Sequence, residues 1–246
     1  MHTKMKTIMV ASGKGGTGKS TVSVFLGARL AAHGKRVLLI ELDSGLRSVD
    51  IIAGVCGKTV YDLEDVLCER CSKEKAVVES PLYPGLSVIS APYAGGEITK
   101  EVLQQLCLAM EPFFDIVVLD TAAGMGAPFQ AAKACASQAL LVLTPDPVAL
   151  RDGRIVSDAL FDSKMPEIRL IINRVTPKTF QQGAVRDLDE CIDTVCAQLI
   201  GVLPESPELQ IAAAKGTTLP TDCLAFTALD NIARRLEGER ITLSVQ

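Results

Sequence analysis

The sequence predicts a doubly wound α/β fold, in which helices cover both faces of a mostly parallel sheet. Short apolar runs, typical of strands buried on both faces, recur along the chain, and helical patterns separate them. This alternation is typical of parallel strand–helix–strand units. The 246 residues show no linker, low-complexity stretch or internal repeat, so we expect one domain over residues 1–246.

The expected strands are continuous apolar runs that end in polar or glycine-bearing segments. A strand covered on both faces needs apolar side chains on both sides of the pleat, which removes the usual alternation. The runs are Ile8–Ala11, Val37–Ile40, Ile116–Leu119, Leu140–Leu143, Leu170–Ile172 and Leu199–Leu203.

The expected helices lie between these runs. The first, Ser20–His33, carries Val22, Leu26 and Leu30 at a spacing of four residues, and Gly34 follows as a stop signal. The others are Asp62–Glu69, Thr99–Met110, Pro128–Ala136, Ala149–Phe161, Val185–Gln198 and Leu224–Glu237.

Composition and charge indicate an ordinary globular protein of the cytosol. Hydrophobic residues make up 48% of the chain and charged residues 22%. No signal peptide is visible, and no apolar stretch approaches the ~18 residues that a membrane-spanning helix requires. The net charge of −4 does not favour nucleic-acid binding over the whole surface.

A phosphate-binding loop follows the first strand and precedes the first helix. Residues 13–20 match the pattern G-x-x-x-x-G-K-[ST] in the strand–loop–helix context that the pattern requires. We expect Lys19 to reach the β- and γ-phosphates of ATP and the Ser20 hydroxyl to bind Mg²⁺. The residues expected to bind the nucleotide are Gly13, Lys14, Gly15, Gly16, Thr17, Gly18, Lys19, Ser20 and Thr21.

Lys14 distinguishes this loop, because an ordinary phosphate-binding loop needs no lysine after its first glycine. The segment Gly-Lys-Gly-Gly-Thr-Gly-Lys-Ser-Thr resembles the deviant Walker A motif of the MinD/ParA ATPases. The resemblance, which extends from about Lys6 to Glu237, implies an ATP hydrolase that forms an ATP-dependent homodimer. It also implies that Lys14 contacts the phosphates bound by the partner subunit and acts in hydrolysis together with Lys19.

Acidic residues follow the second and third strands. Glu41 and Asp43 fall on the same side of an extended chain, where two carboxylates suit water-mediated Mg²⁺ binding. The resemblance implies that Asp43 positions the attacking water, whereas Glu41 stands where the family usually has aspartate. After the third strand, Asp120 fits a position that holds a Mg²⁺-bound water. The segment Ala122-Ala123-Gly124 resembles the one of the same family in which the glycine N–H meets the γ-phosphate, which implies that role for Gly124.

A base site is expected where the later strands end. An asparagine amide at Asn173 can pair with adenine through one donor and one acceptor, and the resemblance implies a preference for ATP over GTP. The loop at Pro204 and Glu205 resembles the segment that flanks the adenine from its other side.

Two segments indicate which members of the family are nearest. Residues 45–50, Gly-Leu-Arg-Ser-Val-Asp, and residues 60–62, Val-Tyr-Asp, are closer to MinD than to ParA. MinD proteins place the division septum, work with a partner protein and bind membrane when loaded with ATP. The C-terminal residues 239–246 contain no aromatic residue and no lysine, so we expect no clear targeting helix there. Peripheral contact with the inner face of the membrane therefore stays open, and the protein partner is unidentified.

Other interpretations remain. Cys68 and Cys71 have chelating spacing, and a symmetric dimer would supply four thiolates to a metal or iron–sulfur cluster. A ParA-like positioner that binds DNA, or a regulator of flagellar number, would share the same motifs, although no basic stripe indicates DNA. Four further cysteines are expected to be small buried apolar residues: Cys107, Cys135, Cys191 and Cys196.

Overall fold

The structure is a computed structural model that describes residues 5–45, 47–93, 98–181 and 184–243. Leu46, in the MinD-like segment 45–50, and the last three residues of the C-terminal segment 239–246 lie outside these ranges.

One eight-stranded sheet forms the centre of the fold, in the order β3-β4-β2-β5-β1-β6-β7-β8. β3 is antiparallel to β4, and the other neighbouring strands are parallel. The strands are β1 (Lys6–Ala11), β2 (Val37–Glu41), β3 (Val78–Glu79), β4 (Leu86–Ile89), β5 (Ile116–Asp120), β6 (Gln138–Leu143), β7 (Ile168–Val175) and β8 (Gln198–Pro204).

Helices cover both faces of this sheet, which confirms the predicted fold class. They are α1 (Lys19–Ala32), α2 (Ser48–Ile52), α3 (Leu63–Leu67), α4 (Lys100–Met110), α5 (Ala127–Cys135), α6 (Pro147–Asp162), α7 (Leu188–Val195), α8 (Pro207–Lys215) and α9 (Leu224–Leu236), with a short 3-10 helix at Lys73–Ala76. Alternate residues of β1 enter different cores: Ile8 and Val10 pack with α1, α2, α8 and α9, whereas Met9 packs with α3 to α7. Within the described part of the chain, every helix is too short or too polar to cross a lipid bilayer.

The sequence did not predict β3, β4, α2, α8 or the 3-10 helix at Lys73–Ala76. β3 and β4 are brief, and the Ser87 hydroxyl interrupts the apolar run of β4. α8 begins at Pro207, and the Ser206 hydroxyl accepts a hydrogen bond from the Leu209 N–H at 3.1 Å, which is a cap that fixes the start of the helix. α2 follows β2 after only a few residues.

Two expectations need correction. The helix expected over residues 185–198 is confined to α7, because Cys196 adopts a left-handed conformation that ends it and Gln198 begins β8. Cys107 and Cys191 are buried as expected, whereas Cys135 is half-buried and Cys196 is exposed, so the expectation of burial was wrong for Cys196.

Candidate functional site

The carboxyl ends of β1, β2, β5 and β7 carry the residues that the sequence singled out. β5 lies between β1 and β2, and the Leu42 N–H donates to the Asp120 carbonyl at 2.9 Å just beyond the strands. In open α/β sheets this edge is where ligands bind. The loop of residues 12–18 leaves β1 here, and α1 starts at Lys19.

Backbone geometry explains the glycines of this loop. Gly16 and Gly18 have φ of 78° and 94°, a region that residues with a Cβ rarely adopt. At Gly13, a Cβ would lie 2.6 Å from the Asp152 carbonyl oxygen of α6. The loop is therefore tightly wound and pressed against a neighbouring helix, as a phosphate-binding backbone requires.

Lys19 is held inside the loop. Its side chain is only 7% exposed, and its Nζ donates to the Ser12 hydroxyl at 3.0 Å. Burial lowers the pKa of Lys19, while the carboxylates of Asp120 and Asp43 act in the opposite direction. The lysine therefore lies between the expected phosphate position and the acidic strand ends.

Asp120 ends β5 and is fully buried. Its Oδ1 accepts from the Ser23 hydroxyl at 2.8 Å, and the Ser20 side chain is close enough to lower the pKa of Asp120. Burial raises the pKa of Asp120 to about 6, and both serines and Lys19 oppose the rise. Ser20 and Asp120 are thus close together, as expected of two residues that share one Mg²⁺ and its waters.

Two buried polar atoms at this point have no hydrogen-bond partner: the Asp120 Oδ2 and the Thr17 Oγ1. Buried polar atoms are normally paired, and unpaired ones indicate a missing water, ion or ligand. No three His, Cys, Asp or Glu side chains in the described ranges are grouped to hold a metal by themselves. The unpaired Asp120 oxygen beside Ser20 fits Mg²⁺ bound through a serine hydroxyl, phosphates and water.

Glu41 and Asp43, expected together at the metal, occupy different surroundings. Glu41 is fully buried, and its Oε1 accepts from the Val49 N–H at 3.1 Å while its Oε2 accepts from the Ala91 N–H at 3.4 Å. Burial raises the pKa of Glu41 to about 7. Glu41, at the end of β2, thus anchors the start of α2 by a hydrogen bond. Asp43 is half-buried and lies near Lys19 and Asp120.

Gly124 lies next to the phosphate loop. Its N–H donates to the Ser12 carbonyl at 3.0 Å, and its φ is 85°. For this N–H to meet a γ-phosphate, as expected, the bond to Ser12 must break. Residues 121–126, which connect β5 to α5, must therefore shift when such a contact forms.

Asn173 is buried in β7 and touches the phosphate loop. Its Nδ2 donates to the Thr17 carbonyl at 2.8 Å, and its Oδ1 accepts from the Arg174 N–H at 2.9 Å. A small cleft beside it is lined by Gly18, Thr21, Asn173, Arg174, Pro204, Ser206, Leu209 and Gln210. The structure thus brings Thr21, Asn173 and Pro204 together, whereas Glu205 is exposed and accepts from the Gln210 side chain at 2.7 Å.

Lys14 lies at the surface rim of the site. Its side chain is 47% exposed, and its Nζ is 3.8 Å from Asp146 Oδ1 at the start of α6. Exposed apolar side chains of α6, Val148 and Ile155, share this surface with Arg151. Two lysines of one loop thus have opposite surroundings: Lys19 is enclosed and Lys14 is accessible from outside.

Sequence reasoning missed three residues that hold the site in shape. Ser12 receives the Lys19 ammonium, and Ser23, one turn after Ser20 on α1, anchors Asp120. Arg47 is buried, donates to Asp50 Oδ2 at 2.8 Å and stacks on the Tyr93 ring at 3.9 Å. The spacing of Ser20 and Ser23 was the one available signal, because residues three apart share a helix face.

The profile of the family described as CobQ/CobB/MinD/ParA nucleotide binding domain matches residues 8–219. The chain belongs to this family. The septum site-determining protein MinD of Synechocystis sp. is 36% identical over 241 residues, which cover 96% of this chain and 91% of that protein. MinD of Helicobacter pylori is 33% identical over 246 residues, covering 95% and 91%.

A solved structure gives the same result. A chain of the MinC:MinD cell division protein complex of Aquifex aeolicus matches with a TM-score of 0.90 and 33% identity, covering 98% of this chain and 99% of that one. The resemblance to the MinD/ParA ATPases, and to MinD among them, is therefore confirmed.

Proposed function

We propose that this MinD-like chain hydrolyses ATP with Mg²⁺, cycles between a monomer and an ATP-bound dimer, and positions the cell-division septum. The observation that carries the proposal is the pair of lysines in one loop, with Lys19 enclosed beside Asp120 and Lys14 exposed at the rim. A single subunit can use only Lys19 on its own nucleotide. Lys14 is placed to serve a second subunit docked against this rim.

Within one subunit, each residue has a distinct task. Lys19 and the loop amides bind the β- and γ-phosphates, and Ser20, Asp120 and Asp43 surround the metal and its waters. Bound there, Mg²⁺ would neutralise phosphate charge and orient the transferring group. Asp43 is half-buried and near Lys19, and it would position the attacking water. Glu41 is less suited to this role because its carboxylate already accepts a hydrogen bond from the Val49 N–H of α2.

The base site supports ATP as the nucleotide. Asn173 keeps one amide hydrogen and part of its carbonyl oxygen for a ligand after its contacts to Thr17 and Arg174. Pro204 and Thr21 line the cleft beside it. We infer that the adenine lies in this cleft and that Glu205 acts at its outer edge.

A protein partner and a cellular location complete the proposal. The Aquifex aeolicus relative was solved as a MinC:MinD cell division protein complex, which supports a protein partner for this chain as well. We place the chain in the cytoplasm and at the inner face of the membrane during part of its cycle, as one functional unit over residues 1–246.

Replacing the water-positioning acid tests the cycle. Asp43→Ala is expected to bind ATP, to hydrolyse it roughly 10²-fold more slowly and to accumulate as a dimer. Light scattering coupled to size exclusion, with ATP and Mg²⁺ present, measures the mass. Asp222→Ala, at an exposed aspartate outside the site, is the matched control. An Asp43→Ala protein that stays monomeric with ATP would contradict the proposal.

A further inference from the structure

Two cysteines from neighbouring helices face each other away from the phosphate loop. Cys107 is buried in α4, and Cys135 is the last residue of α5 and half-buried. Each thiol is close enough to the other to shift its pKa. Cys107 belongs to an apolar cluster, and Cys135 packs against that cluster.

The packing of the helices fixes this approach. α4 lies against α5, and the Gln104 Nε2 donates to the Ala134 carbonyl at 3.2 Å. Gln104 is three residues before Cys107 on the same helix face, and Ala134 directly precedes Cys135. The backbone is therefore tied at the point where the thiols meet.

The two thiols are chemically unequal. The neighbouring Cys107 thiol lowers the pKa of Cys135, and the positive charge of Lys100 adds to this against the opposing effect of burial. The neighbouring Cys135 thiol and burial raise the pKa of Cys107. Cys135, the more accessible of the two, is thus the one that supplies a thiolate nucleophile.

We propose that Cys107 and Cys135 form a reversible disulfide by thiol–disulfide exchange, and that this bond slows ATP hydrolysis by tethering α5 to α4. The second clause rests on the proposed function, whereas the first does not.

The oxidant is a low-molecular-weight disulfide such as oxidised glutathione. The Cys135 thiolate attacks one sulfur of that disulfide, its S–S bond breaks, and one thiolate leaves. The Cys107 sulfur then attacks the Cys135 sulfur of the mixed disulfide, and the Cys107 proton goes to the second departing thiolate. The protein loses two electrons, which reduce the small disulfide to two molecules of thiol.

The link to hydrolysis follows from chain continuity. α5 is the direct continuation of residues 121–126, whose Gly124 N–H is bound to Ser12 and must move to reach a phosphate. Phe129 of α5 is fully buried in the same cluster as α4. A covalent bond at the far end of α5 restrains the helix and with it the segment that it follows.

The Cys68 and Cys71 pair provides an internal contrast. These two cysteines have the spacing of a metal-chelating pair in the sequence. In the structure Cys68 is exposed at the end of α3, and burial raises the pKa of Cys71. Cys68 caps the end of α3 and Cys71 follows it, so a bond between them would not join α5 to α4 and would leave residues 121–126 unrestrained.

The test uses the full chain, first reduced and then incubated with oxidised glutathione at about pH 8, because thiol–disulfide exchange requires a thiolate. Peptide mapping after alkylation is expected to show Cys107 linked to Cys135. Cys135→Ser should abolish this link. Cys107→Ala should abolish it as well, because it removes the other sulfur. The double variant Cys68→Ser with Cys71→Ser should retain it.

Hydrolysis is measured on the same samples. Oxidation should slow ATP hydrolysis by about threefold or more in the wild type, with recovery on adding dithiothreitol, and should not affect Cys135→Ser. Absence of the linked peptide, or a Cys68–Cys71 link in its place, would overturn the disulfide. If the disulfide forms completely and the rate of ATP hydrolysis does not change, the proposed effect of tethering α5 to α4 is wrong. If the reduced protein does not hydrolyse ATP, the proposed function fails, and peptide mapping still decides the disulfide.

Discussion

Lys14→Ala separates a dimeric ATPase with a shared site from a monomeric one, because the lysine does little within its own subunit. Its contact with Asp146 is 3.8 Å long between side chains that are 47% and 39% exposed. Exposed pairs of this kind contribute about 0–1 kcal/mol. The melting temperature of the variant should therefore fall by no more than roughly 2–4 °C. Binding of ATP should survive, because Lys19 and the loop amides remain.

The effect on hydrolysis depends on where Lys14 acts. A cation about 4 Å from developing negative charge is worth about 1 kcal/mol in bulk water and about 4 kcal/mol at an effective dielectric constant of about 20. These energies correspond to rate factors of about fivefold and about 10³-fold. Docking of a partner subunit over the rim would exclude water, so we expect hydrolysis to slow by more than about tenfold, toward the values of arginine-finger systems.

The assay compares Lys14→Ala with Lys215→Ala, a change at an exposed lysine at the end of α8. ATP affinity is measured by equilibrium titration, dimerisation by light scattering, and hydrolysis by phosphate release. The control should match the wild type in all three. If Lys14→Ala also matches the wild type in affinity, dimer fraction and rate, Lys14 does not act in a partner's site.

Three further variants test the interior of the site. Burial raises the pKa of Asp120 from 3.8 to about 6, so the folded state holds more protons than the unfolded state between these values, and stability without nucleotide falls as pH rises through them. Asp120→Asn should therefore stabilise the nucleotide-free protein at pH above about 7 by roughly 2–3 kcal/mol, yet remove the stabilisation by ATP and Mg²⁺. Lys19→Ala should abolish the gain of about 2.7 kcal/mol expected from ATP at ~100 times its dissociation constant. Asn173→Ala should reduce the difference between the melting shifts given by ATP and GTP. Melting curves at acid and neutral pH, with each nucleotide, measure all three.

The results that would contradict these predictions differ. If the Asp120→Asn protein is less stable than the wild type at neutral pH, the charged Asp120 carboxylate stabilises the folded protein, contrary to the prediction. A wild-type ATP shift retained in Lys19→Ala would place the nucleotide elsewhere. A larger shift with GTP than with ATP in the wild type would remove the role of Asn173 at the base.

The sequence predicted the elements whose signals are local. Strands β1, β2, β5 and β6 are apolar on both faces and end in polar segments, and the phosphate loop has its glycines where φ is positive. β4 was not predicted because Ser87 interrupts a run of only four residues. α8 was not predicted either, although Ser206 and Pro207 are helix-start signals.

Contacts between distant segments could not be predicted in this way. Glu41 falls beside Asp43 in the sequence, yet its oxygens are occupied by N–H groups of Val49 and Ala91, one of them fifty residues away. The cysteines show the same limit. The short spacing of Cys68 and Cys71 attracts notice, whereas Cys107 and Cys135 meet only because α4 packs on α5.

We propose that the arrangement of charges makes hydrolysis depend on association of two subunits. Inside the subunit, Lys19 is surrounded by Asp43 and Asp120, so much of its positive charge is already balanced before phosphate charge develops. A second cation is therefore needed to stabilise the transferring group, and the described part of the loop offers it only at the surface, on Lys14. Removing the Lys14 ammonium from water costs free energy. Its attraction to the phosphates bound by a partner subunit would offset that cost. On this proposal a monomer would bind nucleotide completely, whereas fast hydrolysis would require two subunits.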